Sequence, residues 1–453
     1  MIEITMLELI FWGFLQAIVI AFAVSKVFPK IKVSGPIIMW KSVRGLGSVA
    51  KLAKKHQRLW RAYGDFGVIL AFGLAGALYV FRTSKHKWRN SLLASLFLLS
   101  PTISNIIIGL ATGQAYYSTN SLGGLGQELG FQALLLCFGF SASLFVLIAQ
   151  SAIGVVTGYL AGTAVQAAVA PALPGIAVKG SPFQIPWYGW LAFPIIIFVH
   201  ELSHGILTKA QGLRLKATGL LMFGIFPLGA FVEPDEKQLK KASAEKQLRV
   251  YSVGSAANYI TSFAVLALFL VVVNPAISAT GFYEQYSNYY DHPVIGAISP
   301  DSDANGKLAE GMKILSINGA NIASIDALHN ATNVAGPGAL LAITTDKGSY
   351  DVRLTSDAKI GITSLKDSFL PMPLWMDAVV FIAGLISLIV FFNFIVGVMN
   401  LLPMYPLDGG LMLEALVSTK IGRKRAASVT KVITVLGLAM ILVNMLPLFF
   451  QAA

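Results

Sequence analysis

The stretch Trp190-Leu-Ala-Phe-Pro-Ile-Ile-Ile-Phe-Val-His200-Glu201-Leu-Ser-His204 joins an apolar run to three ionisable side chains. Lys179 is the only formally charged residue between positions 129 and 199, so these three groups end a long apolar segment. A helix needs about 20 mostly apolar residues to cross a bilayer, and the run 188–208 is long enough. Ionisable residues at membrane depth are costly and therefore mark functional sites. This stretch predicts a membrane-spanning helix that carries a polar site.

The spacing of the two histidines points to a metal. His200 and His204 are four residues apart, so on a helix both imidazoles project from one face. Two nitrogen ligands at this spacing suit one tetrahedral zinc ion, and Glu201 beside them is placed to act as a general base. The plainer alternative is a polar cluster that only holds helices together. Zinc would still need a third protein ligand.

Asp408 is the candidate for that third ligand. No formal charge lies between Asp377 and Asp408, and the sequence before it reads Asn400-Leu-Leu-Pro-Met-Tyr-Pro-Leu-Asp408-Gly-Gly. Prolines break helices, and glycines let backbone segments approach closely. Irregular backbone at membrane depth is tolerated only where it is buried in protein or lines a wet cavity. The segment therefore predicts a buried site.

The composition places the chain in lipid. Of its 453 residues, 55% are hydrophobic and 12% are charged, about half the charged share of soluble domains. The net charge of +12 comes from basic clusters beside apolar runs, as in the cytoplasmic loops of membrane proteins. These clusters lack interleaved stacking aromatics, so nucleic-acid binding is not expected. The single cysteine, Cys137, excludes an intrachain disulfide.

Apolar runs predict about eight transmembrane helices. The clear candidates are 7–25, 91–113, 131–153, 188–208, 250–274, 376–401 and 429–451. A further crossing comes either from 66–81, which is short, or from 150–173, which is rich in Gly and Ala; both alternatives stay open. The positive-inside rule puts Lys26–Arg61 in the cytoplasm and the metal site nearer the cytoplasmic face.

Between Pro275 and Pro373 the chain turns polar and predicts a small soluble domain outside the membrane. Its strand-like runs are 294–298, 312–317, 340–344 and 350–354, with turn signals at 318–319 and 346–348 and a helix over 324–334. The run 309–319, Ala-Glu-Gly-Met-Lys-Ile-Leu-Ser-Ile-Asn-Gly, resembles a segment of PDZ domains, with Met312 in place of the usual Asp. The resemblance implies a peptide ligand that adds to a sheet edge.

The two metal motifs together closely resemble those of the site-2 protease family of intramembrane metalloproteases. His200-Glu-Leu-Ser-His204-Gly and Asn400…Pro403…Pro406-Leu-Asp408-Gly match in full, and the resemblance covers roughly 170–453. It implies zinc as the cofactor, held by the two histidines and Asp408, with Glu201 activating water. It also implies that the substrates are membrane-spanning proteins, cut within the bilayer.

Further residues take roles from the same resemblance. Gly254-x-x-x-Asn258 resembles a family motif, and Asn258 and Asn400 would position the substrate backbone or polarise the scissile carbonyl. For Asn258, packing with an interhelical hydrogen bond is the alternative. Gly229-Ala-Phe231-Val-Glu-Pro234 resembles a membrane-dipping β-hairpin that presents substrate as an extended strand, so Gly229 and Phe231 are candidate substrate-binding residues.

The predicted fold is an all-α polytopic membrane protein of about eight transmembrane helices with a small inserted α+β PDZ-like domain. Four regions are expected: 1–170, an accessory region with a basic cytoplasmic loop; 171–275, the first half of the catalytic core; 276–372, the PDZ-like domain; and 373–453, the second half of the core. The expected location is the lipid bilayer of the cell membrane.

Two other functions compete with this prediction. Prenyl-protein or HtpX-like membrane metalloproteases share the histidine motif but use a downstream Glu as third ligand, for which Glu414 is the candidate here. A non-catalytic scaffold or an ion transporter would use the intramembrane His and Asp without needing Glu201 as a base.

Overall fold

The computed structural model describes residues 2–4, 6–28, 31–43, 45–84, 86–99, 122–163, 165, 167–171, 173–178, 185–299, 302–356 and 358–449. The chain forms two compact units, one of residues 1–267 with 384–453 and one of residues 268–383. Lys179 and the part of the predicted span 91–113 beyond Leu99 lie outside the described residues.

Helices make up most of the described chain. They are α1 (Met6–Val27), α2 (Leu46–Lys55), α3 (Gln57–Thr83), α4 (Lys87–Leu98), α5 (Leu122–Leu160), α6 (Ala192–Ala210), α7 (Glu236–Lys241), α8 (Ala244–Leu268), α9 (Asn274–Ser278), α10 (Phe282–Tyr286), α11 (Ile325–Ala335), α12 (Leu374–Met399), α13 (Asp408–Ile421) and α14 (Arg423–Met445).

The strands are short and fall into separate sheets. They are β1 (Ile2–Ile4), β2 (Lys32–Ser34), β3 (Ile37–Ser42), β4 (Ile176–Val178), β5 (Leu215–Phe223), β6 (Phe226–Pro234), β7 (Val294–Ile298), β8 (Ile314–Ile317), β9 (Ala320–Asn321), β10 (Leu340–Thr345), β11 (Gly348–Arg353) and β12 (Ile362–Lys366).

Six helical segments among the described residues are long and apolar enough to cross a membrane. They are Gln57–Thr83, Gln132–Leu160, Trp187–Ala210, Ala244–Ser278, Leu374–Met399 and Arg423–Leu448. The first predicted span, 7–25, lies within α1, whose apolar part is shorter, at Phe11–Val27. The protein is thus mostly helical and multi-pass, and the count of about eight spans stays a prediction.

The helix α3 contains a reversal at Gly73, which has φ 57° and ψ −133°. A Cβ on Gly76 would lie 2.4 Å from the carbonyl oxygen of Val68, eight residues earlier. A straight helix would separate these residues by about 12 Å along its axis. The two halves of α3 therefore fold back on each other at Gly73, and the choice between 66–81 and 150–173 as the further crossing stays a prediction.

A second helix break, at Gly139 in α5, lies against the first. Gly139 has φ 71°, and a Cβ on Gly73 would lie 2.6 Å from its backbone nitrogen. Ser143 lies one turn beyond the break and donates a hydrogen bond of 2.7 Å to the Gly139 carbonyl. The run 150–173, considered above as a further helix, begins with the end of α5, and its described residues after Leu160 are not helical.

Buried ion pairs join α3 and α4 to the core helix α8. The Asp65 side chain is 2% exposed and accepts hydrogen bonds from Arg249 Nε at 2.6 Å and from Arg89. Arg249 also pairs with Glu245 at 2.6 Å. Arg89, one of the basic residues after α3, therefore lies beside Asp65 in the first half of α3. It does not lie at the opposite end of a membrane-spanning helix from Asp65.

A four-stranded antiparallel sheet, in the order β2-β3-β5-β6, lies beside α6. The hairpin predicted from Gly229–Pro234 is present as β5 and β6, with Gly219 opposite Phe231. The first two strands were not predicted, because 26–61 was interpreted only as a basic loop. β6 is the edge strand next to the metal motif, and Val232 packs against Gly205 of α6.

The unit of residues 268–383 has its own core of buried aliphatic side chains. Its strands β7, β8, β10 and β11 match the four predicted runs, and α11 begins after Ser324, whose side chain accepts from Ala327 N–H as an N-cap. Asn318 and Gly319, with φ of 50° and 81°, form the turn between β8 and β9. The strand β12 was not predicted. The PDZ-like identity of this unit stays a prediction.

Candidate metal centre

The metal motif lies in the C-terminal half of α6. His200 and His204 are one turn apart, and the side chains of both are largely buried. The helix ends just beyond them, where Gly212 takes φ 77° and Leu213 N–H donates back to the Thr208 carbonyl, a common C-terminal cap. The motif is therefore held on a regular helix close to its end.

Asp408 reaches these histidines from the first position of α13. Its Oδ2 lies 3.2 Å from His200 Nε2 and 3.1 Å from His204 Nε2, and the two Nε2 atoms are 3.1 Å apart. Among the described residues, these three form the one group of His, Cys, Asp or Glu side chains placed to share a metal ion. The expected meeting of His200 and Asp408 in space is confirmed.

The chain before Asp408 folds into a tight, non-helical loop. Gly409 N–H donates to the Asn400 carbonyl at 2.7 Å, closing the loop on itself. A Cβ on Gly409 would lie 2.1 Å from the Leu401 carbonyl oxygen, and one on Gly410 would lie 2.5 Å from the Met404 carbonyl carbon. The predicted close backbone approach at the two glycines is confirmed. It holds Asp408 next to the two histidines.

The donor set and its spacing fit zinc. Two imidazoles and one carboxylate, with a fourth position left open, are typical of catalytic zinc sites. Tetrahedral zinc with ligands at about 2.1 Å separates neighbouring ligand atoms by about 3.4 Å, close to the 3.1–3.2 Å found here. His200, His204 and Asp408 would therefore hold the ion.

The facing helix α8 accommodates and orients the histidines. His204 Nδ1 lies 2.7 Å from the Val250 carbonyl oxygen, so this ring nitrogen carries the proton and donates it. The lone pair of Nε2 is then free to face a metal. One turn along α8, a Cβ on Gly254 would lie 2.4 Å from His204 Nε2 and 2.7 Å from His200 Cε1. Only glycine leaves room for both rings at this position.

Glu201 is bound to the edge strand β6. Its Oε2 accepts the N–H of Val232 at 2.9 Å. Because this N–H is directed at Glu201, it points away from β5 and towards the open edge of the sheet. The candidate base and the candidate substrate-binding edge are thus in direct contact, a relationship that the sequence did not indicate.

The remaining predicted site residues lie at different distances from the metal centre. Asn258 is completely buried, and its side-chain nitrogen lies 3.3 Å from His200 Nδ1. Asn400 uses its side-chain nitrogen to donate to the Val396 carbonyl on α12. Phe231 lies across Gly219 in the neighbouring strand, and Gly229 pairs with Leu221. Of these four, only Asn258 touches a metal ligand.

Glu414, the alternative third ligand, is engaged elsewhere. Its carboxylate accepts a hydrogen bond from the Tyr405 hydroxyl within the same region. The Tyr405 N–H in turn donates to Thr434 Oγ1 on α14 at 2.9 Å. Glu414 therefore helps to hold the loop before Asp408, and the alternative of a Glu-ligated metalloprotease is not favoured.

Two histidines and an aspartate meet at one buried point beside Glu201, in a protein that is mostly helical and multi-pass. This combination is typical of a membrane metalloprotease. The family model of Peptidase family M50 matches residues 188–444, which include both metal motifs. The chain belongs to this family, and its resemblance to the site-2 proteases is confirmed. At family level it is a membrane zinc metalloprotease.

Two relatives match over parts of their lengths. An uncharacterized protein of Methanocaldococcus jannaschii is 29% identical over 289 residues, which are 62% of this chain and 69% of the relative. A protein of Rhizobium meliloti, provisionally named a zinc metalloprotease, is 23% identical over 191 residues, which are 34% of this chain and 47% of the relative. The chain thus matches about half the length of the second.

Proposed function

We propose that this protein is a zinc-dependent intramembrane endopeptidase that cleaves membrane-spanning segments of other membrane proteins. The observation that carries the proposal is the convergence of His200, His204 and Asp408 beside Glu201. The two histidines and Glu201 belong to a helical segment, 187–210, that is long and apolar enough to cross a bilayer. Such cleavage would serve regulated intramembrane proteolysis in the cell membrane.

The residues around the metal would have different roles in hydrolysis. When bound, zinc supplies the Lewis acidity that makes water a nucleophile at neutral pH. Glu201 would take the proton of the attacking water and later return it to the leaving amine. His200 and His204 are held by α8, so their ring nitrogens keep a fixed direction.

The edge strand β6 would receive the substrate. A peptide bond inside a helix has its carbonyl hydrogen-bonded and shielded, so the substrate must be unwound before it can be attacked. The N–H of Val232 points to the open edge of β6 and is available to an added strand once Glu201 releases it. A substrate extended along this edge would pass beside Glu201. Gly229 and Phe231 on the same strand remain candidate substrate contacts.

We also propose that the unit of residues 268–383 binds an extended peptide, as its resemblance to PDZ domains implies. The strand β12 pairs on one side with β7, as expected for a small sheet to which an extended peptide can add. This ligand would be distinct from the segment that is cut, and its binding would either select or exclude membrane proteins as substrates.

Comparison of wild type with Glu201→Gln tests the proposal. Both forms are expressed at equal levels in a strain that lacks the endogenous gene, and membrane proteins are surveyed for new fragments. Fragments whose new ends map within transmembrane segments, present with wild type and absent with Glu201→Gln, are the expected result. Zinc content should be equal in the two forms, because Glu201 is not a ligand. Retained cleavage by Glu201→Gln would refute its role as base.

A further inference from the structure

Asn258 makes a polar side-chain contact to a metal ligand, and the catalytic scheme above gives this contact no role. It lies on α8 and is completely buried. Its side-chain nitrogen faces His200 Nδ1 at 3.3 Å, and its Oδ1 has no hydrogen-bond partner among the described residues. A buried amide oxygen without a donor is unfavourable, because it has lost its hydrogen bonds to water and gained none in return. The arrangement therefore calls for an explanation.

The metal centre determines which proton His200 carries. Its Nε2 lies 3.1 Å from His204 Nε2 and 3.2 Å from Asp408 Oδ2, where a shared cation would sit. A ligating Nε2 must present its lone pair, so the proton is on Nδ1. An Nδ1–H facing an amide NH₂ would put two donors in contact.

Turning the amide of Asn258 by half a turn removes both difficulties. The two orientations have the same shape, and the choice between them follows from the hydrogen bonds they make. With the amide turned, Oδ1 accepts the Nδ1–H of His200, and the buried oxygen gains its donor. We infer that Asn258 is a positioning residue of the metal centre, whose side-chain oxygen holds His200 Nδ1–H and directs Nε2 at the metal.

The same helix then serves both histidines in the same way. The Val250 carbonyl oxygen accepts from His204 Nδ1, and Asn258 lies eight residues later, on the same face of α8. Gly254, halfway between them, leaves room for the two rings. Residues 250, 254 and 258 thus lie on one face of α8. The helix α12 packs closely against α8, since Gly397 lies against the backbone of Ser255 and Tyr259. The Gly-x-x-x-Asn spacing is thus explained by ligand orientation rather than by substrate contact.

Zinc affinity of purified protein tests this inference, which rests on the zinc site proposed above. The dissociation constant is measured by competition with a chelator for wild type, Asn258→Leu, Asn258→Asp and Asn393→Leu. Asn393 is a matched control, because it is an equally buried amide on α12 and its hydrogen bond among the described residues is to its own helix, at the Ile389 carbonyl. Loss of an outer partner of this kind weakens metal binding by about 10–100-fold.

Asn258→Leu should weaken zinc binding by that factor, whereas Asn258→Asp, which keeps an acceptor and has no N–H, should bind within a few-fold of wild type. Asn393→Leu should match wild type. Wild-type affinity in Asn258→Leu, with only a raised KM for substrate, would overturn the inference and support a substrate contact.

Weakened zinc binding in Asn258→Asp would overturn the inference in another way, because it would show that the nitrogen, not the oxygen, is the group required. This result does not depend on whether the Leu variant folds. A wild type that binds no zinc would instead refute the proposed function.

Discussion

Gly254 of α8 and His204 of α6 are in such close contact that glycine is the only residue compatible with the ring. A Cβ at position 254 would lie 2.4 Å from His204 Nε2, the nitrogen that faces Asp408. The ring cannot swing away, because its Nδ1 is held by the Val250 carbonyl at 2.7 Å. Here glycine is required by the packing of the metal centre rather than by an unusual backbone conformation.

Gly254→Ala should therefore lower the zinc content of purified protein at least tenfold while the protein remains folded. The methyl group would displace one or both imidazoles from the position they need for binding. Zinc per chain is measured by atomic absorption. Gly154→Ala on α5 is the control, because no described atom lies within 4 Å of its Cβ position. Full zinc occupancy in Gly254→Ala would contradict the contact.

Asp408→Ala and Glu414→Ala should differ in their effects on the metal. Asp408 supplies the third ligand atom, so its loss should reduce zinc affinity by more than 100-fold. Glu414 bonds to Tyr405, so its removal should leave zinc bound and affect mainly the stability of the loop. Chelator competition on both variants measures the difference. Equal zinc loss from the two variants would reopen the assignment of the third ligand.

The metal site could be predicted because its ligands are side chains, and these occur in two short sequence motifs with fixed spacings. The histidines share one helix, and Asp408 ends a long uncharged region, so both stand out from their surroundings. The contacts that refine the site could not be found this way. Val250 contributes a carbonyl oxygen and Val232 an N–H. Nearly every residue has these backbone groups, so the sequence does not show which of them contact the site.

The reversal of α3 shows a different limit. Gly73 lies in an apolar run that would be acceptable in a straight membrane helix, and its role depends on Gly139, which is 66 positions away. The strands β2 and β3 did leave a signal, since Ser34-Gly35-Pro36 is a turn sequence followed by the β-type run 37–40. The basic residues on both sides of this run instead favour a cytoplasmic loop, and the two strands are therefore absent from the prediction.

Gly73→Ala should destabilise the protein more than Gly162→Ala does. Both glycines have positive φ, 57° and 66°, which L side chains rarely adopt, so each substitution carries backbone strain of about 1 kcal/mol or more. Only at Gly73 would the new methyl meet backbone, at 2.6 Å from Gly139 N, whereas no described atom lies within 4 Å at Gly162. Overpacking of this kind adds about 1–3 kcal/mol. Thermal unfolding in detergent compares the two, and equal midpoints would contradict the contact between the helix breaks.

Asp65→Ala should cost about 3–5 kcal/mol of unfolding free energy, because it leaves a buried guanidinium without its main partner. Arg249 would keep only Glu245, whose side chain is 32% exposed. Glu236→Ala is the control: its pair with Lys240 is on the surface, and such pairs contribute about 1 kcal/mol or less. Denaturant titration measures both losses. Similar losses in the two variants would mean that the Asp65 pairs do not hold α3 to α8.

Val232→Pro tests whether the outer edge of β6 carries the substrate. Proline removes the N–H that now bonds Glu201, and it is tolerated on edge strands where that N–H points outward. Zinc content should not change, because no ligand is touched. A substrate strand would lose one hydrogen bond worth about 1–1.5 kcal/mol, so kcat/KM should fall about tenfold. Val232→Ala is the matched control, since it loses the packing against Gly205 but keeps the N–H. Equal cleavage rates for the proline and alanine variants would show that substrate does not use this amide.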